Sequence, residues 1–324
     1  MEPKAISMRN STLSELKPLR TVFYPDSPIN GLEFSDDGSL LMVSTENKTL
    51  DIYDVLTFSK DYSINISENG ACCPKFFATN QDGLHGTTKK NQKTDSFDIL
   101  LFDLFSLSYK NRFIGSQSTQ TEIVRRPGTT NFFSSDNKGL LTEWDVRQNS
   151  PVVRLNVDGG IQNRKNDYVG VTVESNNVLC LTYDNQFYLY DGRNLKEYFA
   201  HSQVVYENDE NVNSLKFSPC EKFVTFMTDK HSIITLDSFD LVEKAKISVD
   251  EVNTPSKLGW DFSPCGRYII SANSNSEINL YSIISGELIS SKPNKYKHNP
   301  TNINFNKKYF VTAIGGDYLS MWTP

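Results

Sequence analysis

Residues 215–224 read LKFSPCEKFV and residues 260–269 read WDFSPCGRYI, two segments that begin 45 residues apart. In each segment a short run rich in apolar residues leads into a Ser-Pro turn and then into a second apolar run, which is typical of two strands joined by a tight turn. The same order recurs as LEFSDDGSLL over residues 32–41 and, in shortened form, as INFNKKYF over residues 303–310. Self-similarity at this period predicts a fold assembled from copies of one small unit.

A second repeated feature lies downstream of each turn, where an alternating strand ends in a large apolar residue followed by a small polar one. Seven of these anchors follow one another at intervals of 40 to 49 residues: Tyr53-Asp54, Phe102-Asp103, Trp144-Asp145, Tyr190-Asp191, Leu236-Asp237, Tyr281-Ser282 and Met321-Trp322-Thr323. The interval is close to that of a WD-repeat blade, a four-stranded sheet that cannot bury both of its faces alone and therefore stacks radially on its copies. The sequence predicts an all-β, seven-bladed WD-repeat β-propeller.

The pattern also predicts how the chain is divided. We expect residues 1–14 to form a flexible N-terminal tail and residues 15–324 to form a single propeller. Because a closed ring must cover the edge of its last blade, the apolar stretch around Val22 is expected to supply the outer strand there. Polar, Gly-containing runs over residues 78–90 and 158–166 predict enlarged surface loops in the second and fourth blades.

The composition argues against several classes of function. Lys and Arg number 33 against 39 Asp and Glu, and a net charge of -6 predicts no broad basic surface for nucleic acid or for an anionic membrane. No run of eighteen apolar residues is present, so neither a membrane span nor a signal peptide is expected, and we expect an intracellular protein. The five cysteines lack CxxC spacing and predict reduced thiols rather than a zinc site.

Motifs that would carry catalysis are missing from the sequence. The four histidines, His85, His201, His231 and His298, form no metal-spaced pair and fall in predicted loops or strand ends. The chain also has no G-x-S-x-G elbow, no Walker loop and no G-x-G-x-x-G. We therefore expect a protein that is not an enzyme and that needs no cofactor and no metal.

Basic and aromatic residues near predicted loops are candidates for binding a peptide. If these loops lead into the inner strands, they surround one end of the central channel, where Arg and Lys could bind a phosphorylated or acidic peptide and tyrosines could stack on it. The alternative is that they are ordinary solvated loop charges. Trp260 is expected in the core. The candidate residues are Arg125, Arg164, Lys165, Tyr168, Tyr206, Lys257, Lys297 and His298.

Several segments resemble one branch of the WD-repeat proteins. Residues 144–147 (WDVR) end the third blade, residues 189–193 (LYDGR) the fourth and residues 233–239 (IITLDSF) the fifth, while the last blade opens with Lys297-His298 and closes with residues 321–324 (MWTP). These segments resemble the WD-repeat subunit shared by the COMPASS histone methyltransferase complex and by the cleavage and polyadenylation or PNUTS-phosphatase complexes, the Swd-two family. The first and second blades match it only in outline.

The resemblance implies a non-catalytic scaffold subunit of a nuclear complex that acts on chromatin and transcription. Its partners would be protein subunits of a histone methyltransferase, of a cleavage/polyadenylation-phosphatase complex, or of both. The phosphorylated tail of RNA polymerase II is a further candidate partner. Because one fold serves many functions, a substrate adaptor of a ubiquitin ligase or a ribosome assembly factor stays open as the alternative.

Overall fold

A computed structural model shows seven four-stranded antiparallel sheets, and the all-β, seven-bladed propeller predicted from the sequence is confirmed. The structure describes residues 10–77, 81–157, 166–203, 210–249, 257–294 and 299–324. None of the helices in these ranges is long and apolar enough to cross a membrane.

The described chain begins with the short helix α1 (Asn10–Leu13) and the strand β1 (Lys17–Phe23). The first three blades follow in order, each listed from its inner to its outer strand. Blade one is β2 (Ile29–Phe34), β3 (Leu40–Thr45), β4 (Thr49–Asp54) and β5 (Lys60–Asn65). Blade two is β6 (Cys72–Phe77), β7 (Asp82–Gly86), β8 (Phe97–Asp103) and β9 (Ser108–Ser116). Blade three is β10 (Gln120–Arg125), β11 (Asn131–Asp136), β12 (Leu140–Asp145) and β13 (Pro151–Asn156).

The remaining blades keep the same order of strands. Blade four is β14 (Val169–Val173), β15 (Val178–Tyr183), β16 (Gln186–Asp191) and β17 (Asn194–Gln203). Blade five is β18 (Val212–Phe217), β19 (Phe223–Thr228), β20 (Ser232–Asp237) and β21 (Glu243–Ser248). Blade six is β22 (Trp260–Phe262), β23 (Tyr268–Ala272), β24 (Glu277–Ser282) and β25 (Leu288–Pro293). Blade seven has β26 (Asn302–Phe305), β27 (Thr312–Gly315) and β28 (Tyr318–Thr323), and β1 is its outer strand.

The serine of the repeated turn holds the first two strands of a blade together. Ser35, Ser218 and Ser263 each accept, through Oγ, a hydrogen bond from the backbone N–H five residues downstream, at 2.9, 3.1 and 3.2 Å. The fourth residue of the turn has a positive φ, 74° at Gly38 and 66° at Gly266, a conformation that glycine adopts without strain. The repeated S-x-x-G pattern is therefore a turn with its own side-chain cap.

The anchors lie in the third strands and pack against the preceding blade. Trp144 of blade three is fully buried against Phe113 of blade two, and Leu236 of blade five is buried with Phe187 of blade four. The indole N–H of Trp144 also donates to Ser134 Oγ at 2.9 Å. Because full burial of one such side chain contributes roughly 1.5–3 kcal/mol, these contacts between blades hold the ring together.

The N-terminal strand lies along the last blade. β1 pairs antiparallel with β28, and Val22 lies opposite Leu319. Upstream of it, Leu13 and Leu16 are buried in the cluster formed by blades six and seven. Of the segment 1–14 that is expected to be flexible, Leu13 is buried against the propeller, and residues 1–9 lie outside the described residues.

The loop predicted over residues 78–90 in the second blade was wrong for residues 82–86; residues 78–80 lie outside the described residues, and residues 87–90 belong to the connection between the second and third strands of the blade. Residues 82–86 form β7, the second strand of that blade, and His85 within it is fully buried. The small residues in this strand make room for a neighbouring ring, since a Cβ atom at Gly83 would come within 2.2 Å of the Phe102 ring. Of the other predicted loop, residues 158–165 lie outside the described residues, and Asn166 is buried and donates to Val212 O at 2.7 Å.

The buried His85 gives a prediction for the pH dependence of stability. Its Nδ1–H donates to Gly86 O and its Nε2 accepts from Tyr109 Oη, and burial lowers the pKa of His85 from 6.5 to about 4. Above the pKa of 6.5 that a histidine has in the unfolded chain, His85 is neutral in both states and the folded protein has its full stability. As the pH falls toward 4, protons bind the unfolded chain first, so we expect His85 to cost about 2 kcal/mol of stability between about pH 7.5 and 5.

Urea unfolding followed by tryptophan fluorescence at both pH values measures this loss. The variant His85→Gln should show a smaller pH dependence than the parent protein, whatever its stability at neutral pH. The variant His201→Gln is the control, because His201 is exposed. An unchanged pH dependence in His85→Gln would contradict the prediction.

Candidate functional site

The central channel is the candidate site, because one inner strand of each blade lines it. It contains two cavities of about 410 Å³ and 140 Å³ that share lining residues in the middle of the channel. We name its openings by the direction of the inner strands: the N-terminal mouth is where these strands begin, and the C-terminal mouth is where they end.

A layer of charged side chains crosses the middle of the channel. Lys75 Nζ of blade two binds Glu33 Oε2 of blade one at 2.9 Å. On the opposite side, Lys216 Nζ of blade five binds Asp261 Oδ1 of blade six at 2.8 Å, and the other Asp261 oxygen accepts from the Phe305 N–H of blade seven at 2.7 Å. The layer therefore links neighbouring blades across their inner strands.

The electrostatics of this layer favour the charged form of Lys75. Burial alone would lower the pKa of Lys75, but the carboxylates of Glu33 and Glu122 outweigh burial and raise it. Lys216 makes further contacts, with its Nζ 5.1 Å from the centre of the Trp260 ring and 2.8 Å from the Trp260 carbonyl oxygen. The cations in the middle of the channel are thus held by the protein's own carboxylates and rings.

The groups next to this layer are held in their neutral forms. Tyr168 Oη donates to Glu122 Oε1 at 3.0 Å, and burial together with Glu122 raises the pKa of Tyr168. A hydrogen bond with Cys72, together with burial, raises the pKa of the Cys73 thiol. A thiol of this kind is a poor nucleophile at neutral pH. Within the described ranges, no three histidine, cysteine or carboxylate side chains meet as metal ligands would.

The structure separates the candidate residues chosen from the sequence. Lys257 is exposed and lines the channel near its N-terminal mouth. Tyr168 lies deeper, where its hydroxyl binds Glu122. Trp260 is buried, so the prediction that it belongs to the core is confirmed. Outside the described residues lie Arg164, Lys165, Tyr206, Lys297 and His298.

Arg125 was placed at the wrong end of the channel. It is the last residue of the inner strand β10, so it lies at the C-terminal mouth and not in a loop that leads into an inner strand. There its Nη2 binds Asp36 Oδ1 at 2.5 Å across the mouth. The hydrogen bond from Arg125 lowers the pKa of Asp36. Arg125 therefore pairs with a carboxylate of its own chain.

Sequence analysis missed the charged layer, although the repeats carry a signal for it. In five inner strands a polar or charged residue stands directly before the phenylalanine that ends or nearly ends the strand. These pairs are Glu33-Phe34, Lys75-Phe76, Lys216-Phe217, Asp261-Phe262 and Asn304-Phe305. A polar position repeated inside an otherwise apolar strand indicates side chains that face a common channel.

Comparisons with known proteins agree with the fold and with the family resemblance. Residues 16–54 match the family model described as WD domain, G-beta repeat. The chain is 21% identical over 330 residues to WD repeat-containing protein 82 of Drosophila melanogaster, an alignment that covers 98% of each chain. The resemblance predicted from the later blades is confirmed by this relative and by two yeast proteins.

The yeast relatives match about half of the chain. COMPASS component SWD2 of Saccharomyces cerevisiae is 24% identical over 152 residues, which covers 46% of this chain and 44% of the relative. Set1 complex component swd2 of Schizosaccharomyces pombe is 23% identical over 158 residues, which covers 48% of this chain and 43% of the relative.

The charged layer gives a stability prediction. The variant Lys75→Met leaves Glu33 partly buried without its partner, and we expect it to lower the free energy of unfolding by about 1–3 kcal/mol. The double variant Lys75→Met with Glu33→Met should recover part of that loss, since it removes the uncompensated charge. Urea unfolding of the parent, both single variants and the double variant gives the coupling energy.

The exposed ion pair Lys48–Asp26, 3.0 Å long, serves as the matched control. Lys48→Met should change stability by less than about 1 kcal/mol, because solvent screens exposed pairs. If the effects of Lys75→Met and Glu33→Met on the free energy of unfolding simply added in the double variant, the predicted coupling would be contradicted.

Proposed function

We propose that this chain is a non-catalytic WD-repeat scaffold subunit of a nuclear complex that acts on chromatin and transcription. The observation that carries the proposal is the similarity to two components of COMPASS or Set1 complexes, and the match to WD repeat-containing protein 82 over 98% of both chains supports the WD-repeat architecture. The partial matches to a COMPASS component and to a Set1 complex component support histone lysine methylation as the process that the complex serves. Transcription termination and mRNA 3′-end processing are the second process that we propose.

The channel supports a role in binding rather than in catalysis. Its central lysines are engaged by Glu33 and Asp261, and the Tyr168 hydroxyl is engaged by Glu122. A general base or nucleophile needs a group whose pKa is matched to proton transfer near neutral pH, whereas Tyr168 and Cys73 have raised pKa values. The ion pairs instead link neighbouring blades, which suits a scaffold.

The proposed partners are protein subunits of a histone methyltransferase complex, of a cleavage/polyadenylation-phosphatase complex, or of both. For the phosphorylated tail of RNA polymerase II, the proposed binding surface is the N-terminal mouth around Lys257. An ammonium group there could form charge-assisted hydrogen bonds with phosphate.

Affinity capture tests the scaffold role. The chain, tagged and expressed in its native cells, is recovered from nuclear extract, and its partners are identified by mass spectrometry. We expect methyltransferase-complex subunits, cleavage and polyadenylation factors, or both. Recovery of ubiquitin ligase or ribosome assembly factors in their place would reject the proposal and favour the alternative.

The proposed phosphopeptide surface has its own test. Fluorescence anisotropy with phosphorylated and unmodified polymerase heptad peptides should show tighter binding of the phosphorylated form. Lys257→Glu should weaken that binding several-fold by reversing the charge at the mouth, while Lys196→Glu, an exposed change on an outer strand, should not. Equal binding of both peptides would count against this surface.

A further inference from the structure

A stretch of exposed residues in blade three joins the third strand to the outer strand. The Gln148 N–H donates to Asp145 O at 3.1 Å and closes a tight turn directly after the anchor, and the outer strand β13 begins at Pro151. Residues 147–150 are all exposed, and so are residues 152–154 of the outer strand. Ser150 therefore lies on the surface, in a short connection that leads into the edge strand of the sheet.

Ser150 differs from the other serines that precede a proline in this sequence. Within the described ranges its hydroxyl has no hydrogen-bond partner. The other three Ser-Pro pairs use their serine inside the fold, where each Oγ accepts a hydrogen bond from a backbone N–H. These serines are Ser27, Ser218 and Ser263, which are 4%, 1% and 1% exposed and accept from Asn47, Phe223 and Tyr268 at 3.2, 3.1 and 3.2 Å. Of the four Ser-Pro pairs, the one at Ser150 presents its hydroxyl to solvent.

An accessible hydroxyl followed by proline is the acceptor that one class of protein kinases selects. Such a kinase must bring the hydroxyl to the γ-phosphate of ATP, where an aspartate of the kinase accepts the hydroxyl proton, so a serine buried as a turn cap is out of its reach. Proline has no backbone N–H, and it favours an extended conformation of the residue before it, so a kinase can bind the segment as an open strand. The Ser150-Pro151 pair meets both requirements.

The charges around Ser150 are compatible with a phosphate group, which carries about −1.5 to −2 charges at pH 7. Arg147 lies three residues before Ser150 and Arg154 four residues after it; both are exposed, and residues 146–157 contain no Asp or Glu. The nearest carboxylate in the segment, Asp145, is already compensated, because both of its oxygens accept hydrogen bonds from Arg147. A phosphate on Ser150 therefore meets no uncompensated carboxylate of its own segment.

We propose that Ser150 is a phosphorylation site of the folded chain, modified by a protein kinase that recognises Ser-Pro. The γ-phosphoryl group of ATP moves to Ser150 Oγ: the bond from the γ-phosphorus to the β–γ bridging oxygen breaks, the bond from Oγ to phosphorus forms, ADP leaves, and the hydroxyl proton passes to the kinase. The product places negative charge beside Val152 and Val153, which are 45% and 38% exposed, so it changes the chemistry of an apolar part of the rim.

This site goes beyond the scaffold function proposed above, and it is tested on the purified chain without any partner. A failure of the site is therefore distinct from a failure of the scaffold role.

A phosphorylation time course on the folded chain and on matching peptides tests the site. The full chain and synthetic peptides of residues 144–157, 212–225 and 257–270 are each incubated with a cyclin-dependent kinase and MgATP, and the modified residues are mapped by mass spectrometry. We expect each peptide to be phosphorylated at its Ser-Pro serine. In the folded chain, Ser150 should be phosphorylated at least about tenfold faster than Ser218 or Ser263, because those two serines become accessible only when their turns open.

Mapping also separates Ser150 from Thr254-Pro255, which lies outside the described residues. An unmodified Ser150 in the chain or in its peptide, or equal rates at the three serines of the folded chain, would overturn the proposal.

Variants of the same turn show which feature the kinase recognises. Ser150→Ala should abolish this modification, and Pro151→Ala should slow it at least about tenfold, because it keeps the exposed hydroxyl and removes the proline. Gln148→Ala is the matched control, since Gln148 is an exposed residue of the same turn and its replacement should leave the rate unchanged. Undiminished phosphorylation of Ser150 in a folded Pro151→Ala variant would also overturn the proposal.

Discussion

The burial of one large side chain at the end of each third strand, against the blade that precedes it, is the constraint on which the other features depend. Tyr53 packs against blade seven and Trp322 against blade six, so the same contact runs around the ring. A four-stranded sheet with both faces apolar is stable only between two neighbours. The pairing of β1 with β28 then covers the last edge of the ring, an edge that would otherwise be open to another chain.

Because the anchors fix the spacing of the blades, the inner strands converge and their polar residues meet. Here Glu33 meets Lys75, and Lys216 meets Asp261, each across one boundary between blades. The ion pairs contribute less energy than the apolar contacts, since desolvation offsets much of their attraction. The position of each residue in its strand directs its side chain into the channel, and the ion pairs compensate the charges there.

The sequence predicts the features that lie within one repeat, and it misses the contacts that form between residues of different repeats. The anchors and the serine turns are local, and their interval alone predicted the fold. The strand around His85 was mistaken for a loop because glycine and polar residues usually indicate a turn, whereas in this strand Gly83 makes room for Phe102. The interpretation of Arg125 failed because a basic residue near a strand end does not show which mouth it faces. Its partner Asp36 lies 89 residues away in the sequence.

The comparison of blades one and four shows how a repeat fold gains separate surfaces without changing its backbone. The two blades share strand order and register, yet Lys60 and Asp51 in one correspond to Tyr198 and Tyr188 in the other. In blade one the ammonium and the carboxylate satisfy each other, so that surface has little to offer a partner. In blade four the two tyrosine rings pack against each other, 5.2 Å apart at 65°. Because the anchors maintain the ring, such positions are free to vary, and the outer half of each blade can acquire its own chemistry.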